Sequence, residues 1–321
     1  MRWGTLAALL ALMTASKGAE VSGLLSRAAA RLASMTSRPV LALTYLVAAT
    51  APVVMNDTAI LVYAPIAASV ARLCGYPLAT VVTYVTIAAN VGSALTPFGN
   101  PQNIIIWAHY GPSITDFVLT MAPLTAAGLA ILSVPVARLP RREVGRMPPV
   151  RLDRPLAASS LAALAAGIAL IESGHPLLAL ALASAFVGVA RPRAILAVDY
   201  AVLGILGLML LDFRALAAVL APYMPHASGG LGGVMLAAVL SQAVSNVPAT
   251  ALLLGTGVGW RSLAVGTNLG GVWFVTGSLA NILAIRLTGI GVREMHRHQL
   301  PYAAALTAAT AGMLLAGALP Y

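Results

Sequence analysis

Long apolar segments follow one another along nearly the whole chain, with only short polar stretches between them. A helix that crosses a membrane needs roughly 20 mainly apolar residues, and many of these segments approach that length. Hydrophobic residues make up 60% of the 321 and charged residues 9%, whereas a soluble domain usually carries about 25% charged residues. Such a chain cannot cover its surface with polar groups in water. The sequence therefore predicts an all-α polytopic protein in the lipid bilayer.

Two pairs of short apolar segments are each interrupted by a polar break that contains asparagine. The segments are 38–54 and 58–73 in the first pair, and 230–245 and 248–258 in the second. The breaks are Asn56-Asp57-Thr58 and Asn246-Val247-Pro248. Irregular backbone at membrane depth is tolerated only where it is buried in protein or lines a cavity. Each pair is therefore predicted to be a re-entrant helical hairpin with its tip inside the membrane.

The positions of the basic residues predict the orientation of the chain in the membrane. The net charge is +10, but the arginines lie between apolar runs, so we interpret them by the positive-inside rule and expect no nucleic-acid partner. If each hairpin enters and leaves on one side, all but three of the 19 basic residues share a side, the exceptions being Arg2, Arg214 and Arg261. That side is predicted to be cytoplasmic, which gives eight crossings of the cell (inner) membrane.

The second half of the chain repeats a pattern of the first. Asparagine and glycine match without a gap at four pairs of positions, which are 90/268, 92/270, 99/277 and 103/281. Each copy follows its own hairpin tip, and the two copies enter from opposite sides in the charge-derived topology. Paired, Gly- or Pro-interrupted segments of this kind are typical of inverted-repeat transporters. We predict a first inverted repeat at 1–137, a basic cytoplasmic loop at 138–155, and a second repeat plus a C-terminal helix at 156–321.

Broken helices suit ion transport because they expose unpaired N–H groups at one half-helix and unpaired carbonyls at the other. The N–H ends stabilise an anion. The carbonyls, with asparagine and threonine oxygens, can coordinate a hard cation. Asp57 is the one acidic residue predicted at membrane depth, where a charge is costly. It is interpreted as a proton or cation site, with a helix cap as the alternative.

With these motifs in order, the sequence resembles the ion-transporter superfamily from about residue 5 to the C-terminus. That superfamily includes arsenite-efflux permeases, divalent-anion/sodium symporters, citrate-type permeases and one class of sodium/proton antiporters. The motifs that carry the resemblance are Asn56-Asp57-Thr58-Ala59, Asn90 to Asn103, Ser245-Asn246-Val247-Pro248-Ala249-Thr250, and Asn268 to Asn281. The first of these and the lack of a soluble insert resemble the arsenite-permease or uncharacterised anion-permease branch. The first repeat is expected to lack the two helices that begin the second.

The resemblance implies that the hairpin tips and the broken helices hold the substrate and the coupling ion. The candidate residues are Asn56, Asp57, Thr58, Asn90, Gly92, Ser93, Thr96, Asn100, Gln102, Asn103, Ser245, Asn246, Thr250, Asn268, Gly270, Thr276, Ser278 and Asn281. It also implies sodium sites near Asn56/Asn90 and near Asn246/Asn268, as in the sodium-coupled symporters. Met55 and Pro248 depart from the Ser or Thr common there. Apart from H⁺ or Na⁺ as coupling ion, no cofactor is expected.

The leading hypothesis is a secondary active transporter for an anion or oxyanion-like solute, such as arsenite or a di- or tricarboxylate. A sodium/proton antiporter of the same superfamily would need more buried acids than Asp57 alone. A passive channel is a second alternative. No cluster of catalytic residues suggests a membrane enzyme. An ATP-driven pump would need a separate ATPase subunit on the basic loop, whose charge is explained without one. The symporters of the superfamily imply a homodimer.

Overall fold

The computed structural model describes residues 3–145, 147–201, 203–204, 207–208, 229–254 and 256–319, and these residues contain helices and connections but no strand. The first ten helices are α1 (Trp3–Val21), α2 (Leu24–Ser34), α3 (Pro39–Val54), α4 (Asn56–Cys74), α5 (Leu78–Ser93), α6 (Pro101–Tyr110), α7 (Ile114–Ala137), α8 (Arg154–Glu172), α9 (Pro176–Ala190) and α10 (Pro192–Leu196). The others are α11 (Gly230–Val244), α12 (Asn246–Leu253), α13 (Trp260–Gly270), α14 (Leu279–Thr288) and α15 (Val292–Leu315). A 3-10 turn, Val275–Gly277, lies between α13 and α14.

Within the described part of the chain, three helices are long and apolar enough to cross a membrane alone: α4, α7 and α8. A fourth span results if α1 and α2, bent by 51°, are counted together. Apolar helices such as α3 and α5 have only 16 residues. At 1.5 Å per residue that is about 24 Å, short of the roughly 30 Å hydrocarbon core. The eight predicted crossings thus depend on counting broken helices as single spans, and their number stays a prediction.

Helices α3 and α4 form a helical hairpin with a one-residue break at Met55. The backbone there has φ 66° and ψ 147°, and α4 begins at the next residue, Asn56. The two open ends meet at Arg142. Its N–H donates to the Ser37 carbonyl (2.9 Å) and its guanidinium donates to the Cys74 carbonyl (2.5 Å). Both open ends of the hairpin therefore lie at the same side of the molecule.

Helices α11 and α12 break in the same way, at Ser245. The backbone there has φ 72° and ψ 157°, and α12 begins at Asn246. Among the residues that the structure describes, Met55 and Ser245 are the only non-glycine residues with a positive φ. Conformations of this kind cost of order 1–3 kcal/mol and persist where the surroundings impose them. The same strained break thus stands directly before an asparagine in each half of the chain.

Two helices, α5 and α13, each end at a break that is followed by a second short helix, α6 or α14. Glycines let α5 and α13 approach the hairpins closely. A Cβ on Gly92 of α5 would lie 2.4 Å from the Ala48 carbonyl oxygen of α3. A Cβ on Gly270 of α13 would lie 2.7 Å from the Ala238 carbonyl oxygen of α11. Real Cβ atoms do not come so near to backbone, so only glycine fits. The packing of α5 on α3 is therefore matched by that of α13 on α11.

The basic loop between α7 and α8 is tied to the rest of the protein. Besides the contacts of Arg142, the N–H of Asp153 donates to the Ser22 carbonyl (2.9 Å), and the Asp153 carboxylate pairs with Arg191 at 3.0 Å. The loop runs across the ends of α2, α3 and α4. It holds the open end of the first hairpin in place.

Candidate functional site

The Asn90 side chain, at the end of α5, joins three elements in one buried network. Its Oδ1 accepts hydrogen bonds from Nδ2 of Asn56, at the first tip, and from Oγ of Ser278, both at 3.3 Å. Its Nδ2 donates to Oδ1 of Asn281 on α14 (2.9 Å). All four residues are at least 90% buried. The first hairpin is thus connected through Asn90 to the broken helix of the other half.

The Asn268 side chain, near the end of α13, organises a second network. Its Oδ1 accepts from Nδ2 of Asn100 (2.8 Å) and from Nε2 of Gln102 (3.4 Å). Its Nδ2 donates to Oδ1 of Asn103 on α6 (2.7 Å). These residues are also buried. Each broken helix is therefore bonded to the broken helix of the other half.

The two networks correspond position by position. Asn90 donates to Asn281 and Asn268 donates to Asn103, so matched residues of the sequence repeat form crosswise pairs. The asparagines that accept these bonds also close their own breaks. Nδ2 of Asn103 donates to the carbonyls of Ala94 and Thr96, at 3.2 and 2.9 Å. Nδ2 of Asn281 does the same to the carbonyls of Gly271 and Phe274, at 2.9 and 3.2 Å.

The hairpin tips differ between the halves. Asn56 is bonded to Asn90, but Asn246, although only 2% exposed, has no hydrogen bond to Asn268 among the described residues. Its carboxamide oxygen lies 3.5 Å from the Ser245 hydroxyl. Asn268 receives the corresponding hydrogen bond from Gln102 instead. The similarity between the halves therefore extends through the broken helices and stops at the second tip.

Two buried amide oxygens in these networks have no hydrogen-bond donor within the part of the chain that the structure describes. They are Oδ1 of Asn56 and Oε1 of Gln102. A buried polar atom without a partner is costly, so such oxygens are open to a cation or to a donor group of a ligand. The first oxygen belongs to Asn56, one of the two asparagines at the predicted Asn56/Asn90 sodium position. At the predicted Asn246/Asn268 position, the oxygen of Asn268 already accepts two hydrogen bonds.

Other candidate residues donate hydrogen bonds to backbone carbonyls around the breaks. The Ser93 hydroxyl donates to the Asn90 carbonyl (2.9 Å), and the Thr96 hydroxyl donates to the Pro52 carbonyl of the first hairpin (2.5 Å). The Thr250 hydroxyl donates within its own helix, to the Asn246 carbonyl (2.8 Å). Thr276 is exposed and belongs to neither network. These side chains shape the site more than they present free groups to a ligand.

A cavity of about 340 Å³ adjoins the first tip. It brings together α1, the start of α4, the segment after α10, and α14. Its lining residues are Met13, Ser16, Lys17, Met55, Asp57, Thr58, Leu61, Val198, Asp199, Leu279, Ile282, Leu283 and Arg286. Asp57 and Thr58 are candidates from the sequence. Lys17 and Arg286 are not, because nothing in the sequence separates them from the other basic residues at the ends of apolar segments.

Comparison with known proteins agrees with this architecture. The model of the family described as "Citrate transporter" matches residues 1–259. The inner membrane protein YbiR of Escherichia coli K12 is 31% identical over 89% of this chain and 80% of its own length. The uncharacterized transporter MJ0456 of Methanocaldococcus jannaschii is 27% identical over 91% of this chain and 83% of its own length.

A solved structure has a similar fold. The YdaH transporter of Alcanivorax borkumensis, whose crystal structure is described as having an unusual topology, superimposes with a TM-score of 0.61 at 16% identity. The match covers 99% of this chain and 85% of that one.

The predicted membership of the ion-transporter superfamily is confirmed, and so is the prediction of a membrane transporter that is not an enzyme. The chain belongs to the citrate transporter family, and it is a multi-pass membrane transporter.

Proposed function

We propose that the protein is a secondary active transporter that moves a small anion across the inner membrane by alternating access of two inverted repeats. The observation that carries the proposal is the crosswise pairing of Asn90 with Asn281 and of Asn268 with Asn103. Since each pair bonds a broken helix of one half to a broken helix of the other, a movement of one half is transmitted to the other. Sites at the interface of paired broken helices are the usual location of substrate in such transporters.

The two hairpins are proposed to be re-entrant and to enter from opposite sides. The 16 residues of α3, too few for a full crossing, support re-entry, and Arg142 holds both ends of the first hairpin at one side. The charge distribution along the sequence supports opposite orientations of the two halves. In this arrangement Asn56 and Asn246 lie near the middle of the membrane. The backbone of the strained breaks is then shielded from lipid by α5 and α13, as polar backbone at that depth requires.

The first tip is proposed to bind both the substrate and the coupling ion. The positive end of the α4 dipole favours an anionic group, and the adjoining cavity has room for a small solute. Coupling has two candidate groups. A sodium ion would use Oδ1 of Asn56, which has no donor among the described residues, and a proton would bind the carboxylate of Asp57, which lines the cavity.

The experiment is solute flux into proteoliposomes that contain the purified full chain. Citrate, succinate, sulfate and arsenite are tested with imposed proton and sodium gradients. Asp57→Asn and Asn56→Ala are compared with the wild type, and Ser34→Ala, at an exposed position of α2 outside both networks and the cavity, is the control. We expect saturable flux of at least one solute that depends on one of the two gradients. Both site variants should lose this gradient-driven flux, and the control should keep it.

Two results would overturn the proposal. Flux that rises linearly with solute concentration and ignores both gradients indicates a passive channel. Exchange of sodium for protons without any of the four solutes indicates the antiporter of the same superfamily. The homodimer stays a prediction. Flux by the purified chain without ATP would argue against the alternative of a pump with a separate ATPase subunit.

A further inference from the structure

Arg286 occupies a particular place on α14. The helix runs from Leu279 to Thr288. Near its start it carries Asn281, which accepts the bond from Asn90, and in its last turn it carries Arg286, which lines the cavity beside the first tip. One short helix therefore connects the crosswise asparagine network to the cationic wall of the cavity.

The charges around the cavity are unequally paired. Lys17 forms an ion pair with Glu20 of its own helix at 2.8 Å. Within the described ranges, the guanidinium of Arg286 forms no ion pair and no side-chain hydrogen bond; the other ion pair there is that of Arg191 with Asp153. Asp57 and Asp199 also line the cavity. Arg286 is therefore the cation of this cavity that is left to interact with a ligand.

The chemistry of the side chain indicates the class of ligand. A guanidinium presents several N–H donors in a planar fork that matches a carboxylate or another oxyanion, and such bidentate bonds are among the stronger hydrogen bonds in proteins. The cavity lining also includes Thr58, in the first turn of α4. An anionic group in the cavity would have the guanidinium of Arg286 and the hydroxyl of Thr58 as donors.

We propose that Arg286 is a substrate-binding residue that selects solutes by charge, pairing with a carboxylate or other oxyanion group of the transported solute. This inference rests on the proposed function, since it assigns a role at the same site. It goes beyond that proposal because it predicts discrimination against neutral oxyacids. It also makes α14 the element through which substrate binding reaches the Asn90–Asn281 bond.

A structural role has to be separated from this one, because a basic residue in the last turn also complements the helix dipole. Arg72 is a matched control. It lies in the last turn of α4, is exposed, belongs to the side predicted to be cytoplasmic, and does not line the cavity. The variants are Arg286→Gln, Arg286→Lys and Arg72→Gln.

The first measurement is binding to the purified full chain in detergent, followed as the rise in melting temperature with added citrate, succinate or sulfate. We expect the wild type and Arg72→Gln to be stabilised by at least one of these anions. Arg286→Gln should melt at the wild-type temperature without anion and lose the anion-dependent rise. Stabilisation of Arg286→Gln equal to that of the wild type overturns the proposal. So does the absence of stabilisation of the wild type by all three anions.

The second measurement is the KM for flux of an anion, compared with flux of arsenite, which is largely neutral arsenous acid at pH 7. Loss of one charge-assisted pairing should raise the KM of Arg286→Gln for the anion about tenfold to a hundredfold. The maximal rate should change little, and Arg286→Lys should recover part of the effect. An equal effect of Arg286→Gln on anionic and neutral solutes refutes charge selection. Anion binding that depends on Arg286 without gradient-driven flux would support this inference and count against the proposed function alone.

Discussion

Replacing Asn268 or Asn90 by alanine should destabilise the protein. Asn268 makes two short side-chain bonds to other asparagines, to Asn100 at 2.8 Å and to Asn103 at 2.7 Å. Asn90 makes one short bond, to Asn281 at 2.9 Å, and two at 3.3 Å. All of these groups are buried, so an atom that loses its partner cannot turn to water.

The magnitude follows from the atoms that lose a partner. In Asn268→Ala, Oδ1 of Asn103 loses its donor, and Nδ2 of Asn100 keeps only the long contact to the Ser93 hydroxyl at 3.4 Å. A buried polar group without its partner costs about 1–3 kcal/mol. In Asn90→Ala, Oδ1 of Asn281, Nδ2 of Asn56 and Oγ of Ser278 lose their partner. The loss in unfolding free energy is therefore about 2–4 kcal/mol for each of the two variants.

The assay is unfolding of the purified protein in mixed micelles by a denaturing detergent, which yields the free energy of unfolding. Thr276→Ala is the control and should stay within about 0.5 kcal/mol of the wild type, because Thr276 is exposed and lies outside both networks. If Asn268→Ala is no less stable than Thr276→Ala, the crosswise pairs do not hold the halves together. The reasoning would then be wrong.

Two further predictions concern the backbone. Gly92→Ala and Gly270→Ala should each destabilise by about 1–3 kcal/mol, since the new Cβ meets backbone of the hairpin. Gly167→Ala, whose Cβ would lie 3.9 Å from Leu12, should be neutral or stabilising by about 0.5–1 kcal/mol in the same assay; equal effects at the three sites would contradict the argument. Ser245→Gly should stabilise by about 1 kcal/mol, because glycine adopts the positive φ of this break without strain. A loss of stability in Ser245→Gly would mean that the Ser245 side chain contributes more than the strain costs.

The hairpins were largely predictable from the sequence because their signal is local. A polar, asparagine-containing break inside an apolar run predicted where the backbone reverses, and the first segment, 38–54, agrees with α3 to within one residue. The second segments were predicted to begin two residues late in both hairpins. The reason is that α4 and α12 start at the asparagines themselves, directly after Met55 and Ser245. A strained conformation on a non-glycine residue leaves no mark in the sequence.

The pairing of the asparagines depends on tertiary structure. The repeat placed Asn90 and Asn268 in equivalent positions, and we expected each to act beside its own tip. In the structure Asn90 accepts a hydrogen bond from the tip residue Asn56, whereas Asn268 accepts the corresponding bond from Gln102 and not from its own tip. The cavity residues Lys17 and Arg286 come from segments far from the first tip in the sequence. Only the packing of α1 and α14 against α4 brings them together, and no local pattern reports that packing.

The account depends most on the two hairpins opening to opposite sides of the membrane, and cysteine labelling tests this directly. In a Cys74→Ala background, which has no other cysteine, single cysteines replace Ser37 and Pro77 at the ends of the first hairpin and Gly229 and Gly259 beside the second. All four positions are exposed. In intact cells a membrane-impermeant maleimide should label cysteines at the last two positions. Those at the first two should react only after permeabilisation. Labelling of Ser37→Cys and Pro77→Cys from opposite sides would show that α3 and α4 together form a single crossing, which would contradict the hairpin and with it the inverted-repeat site.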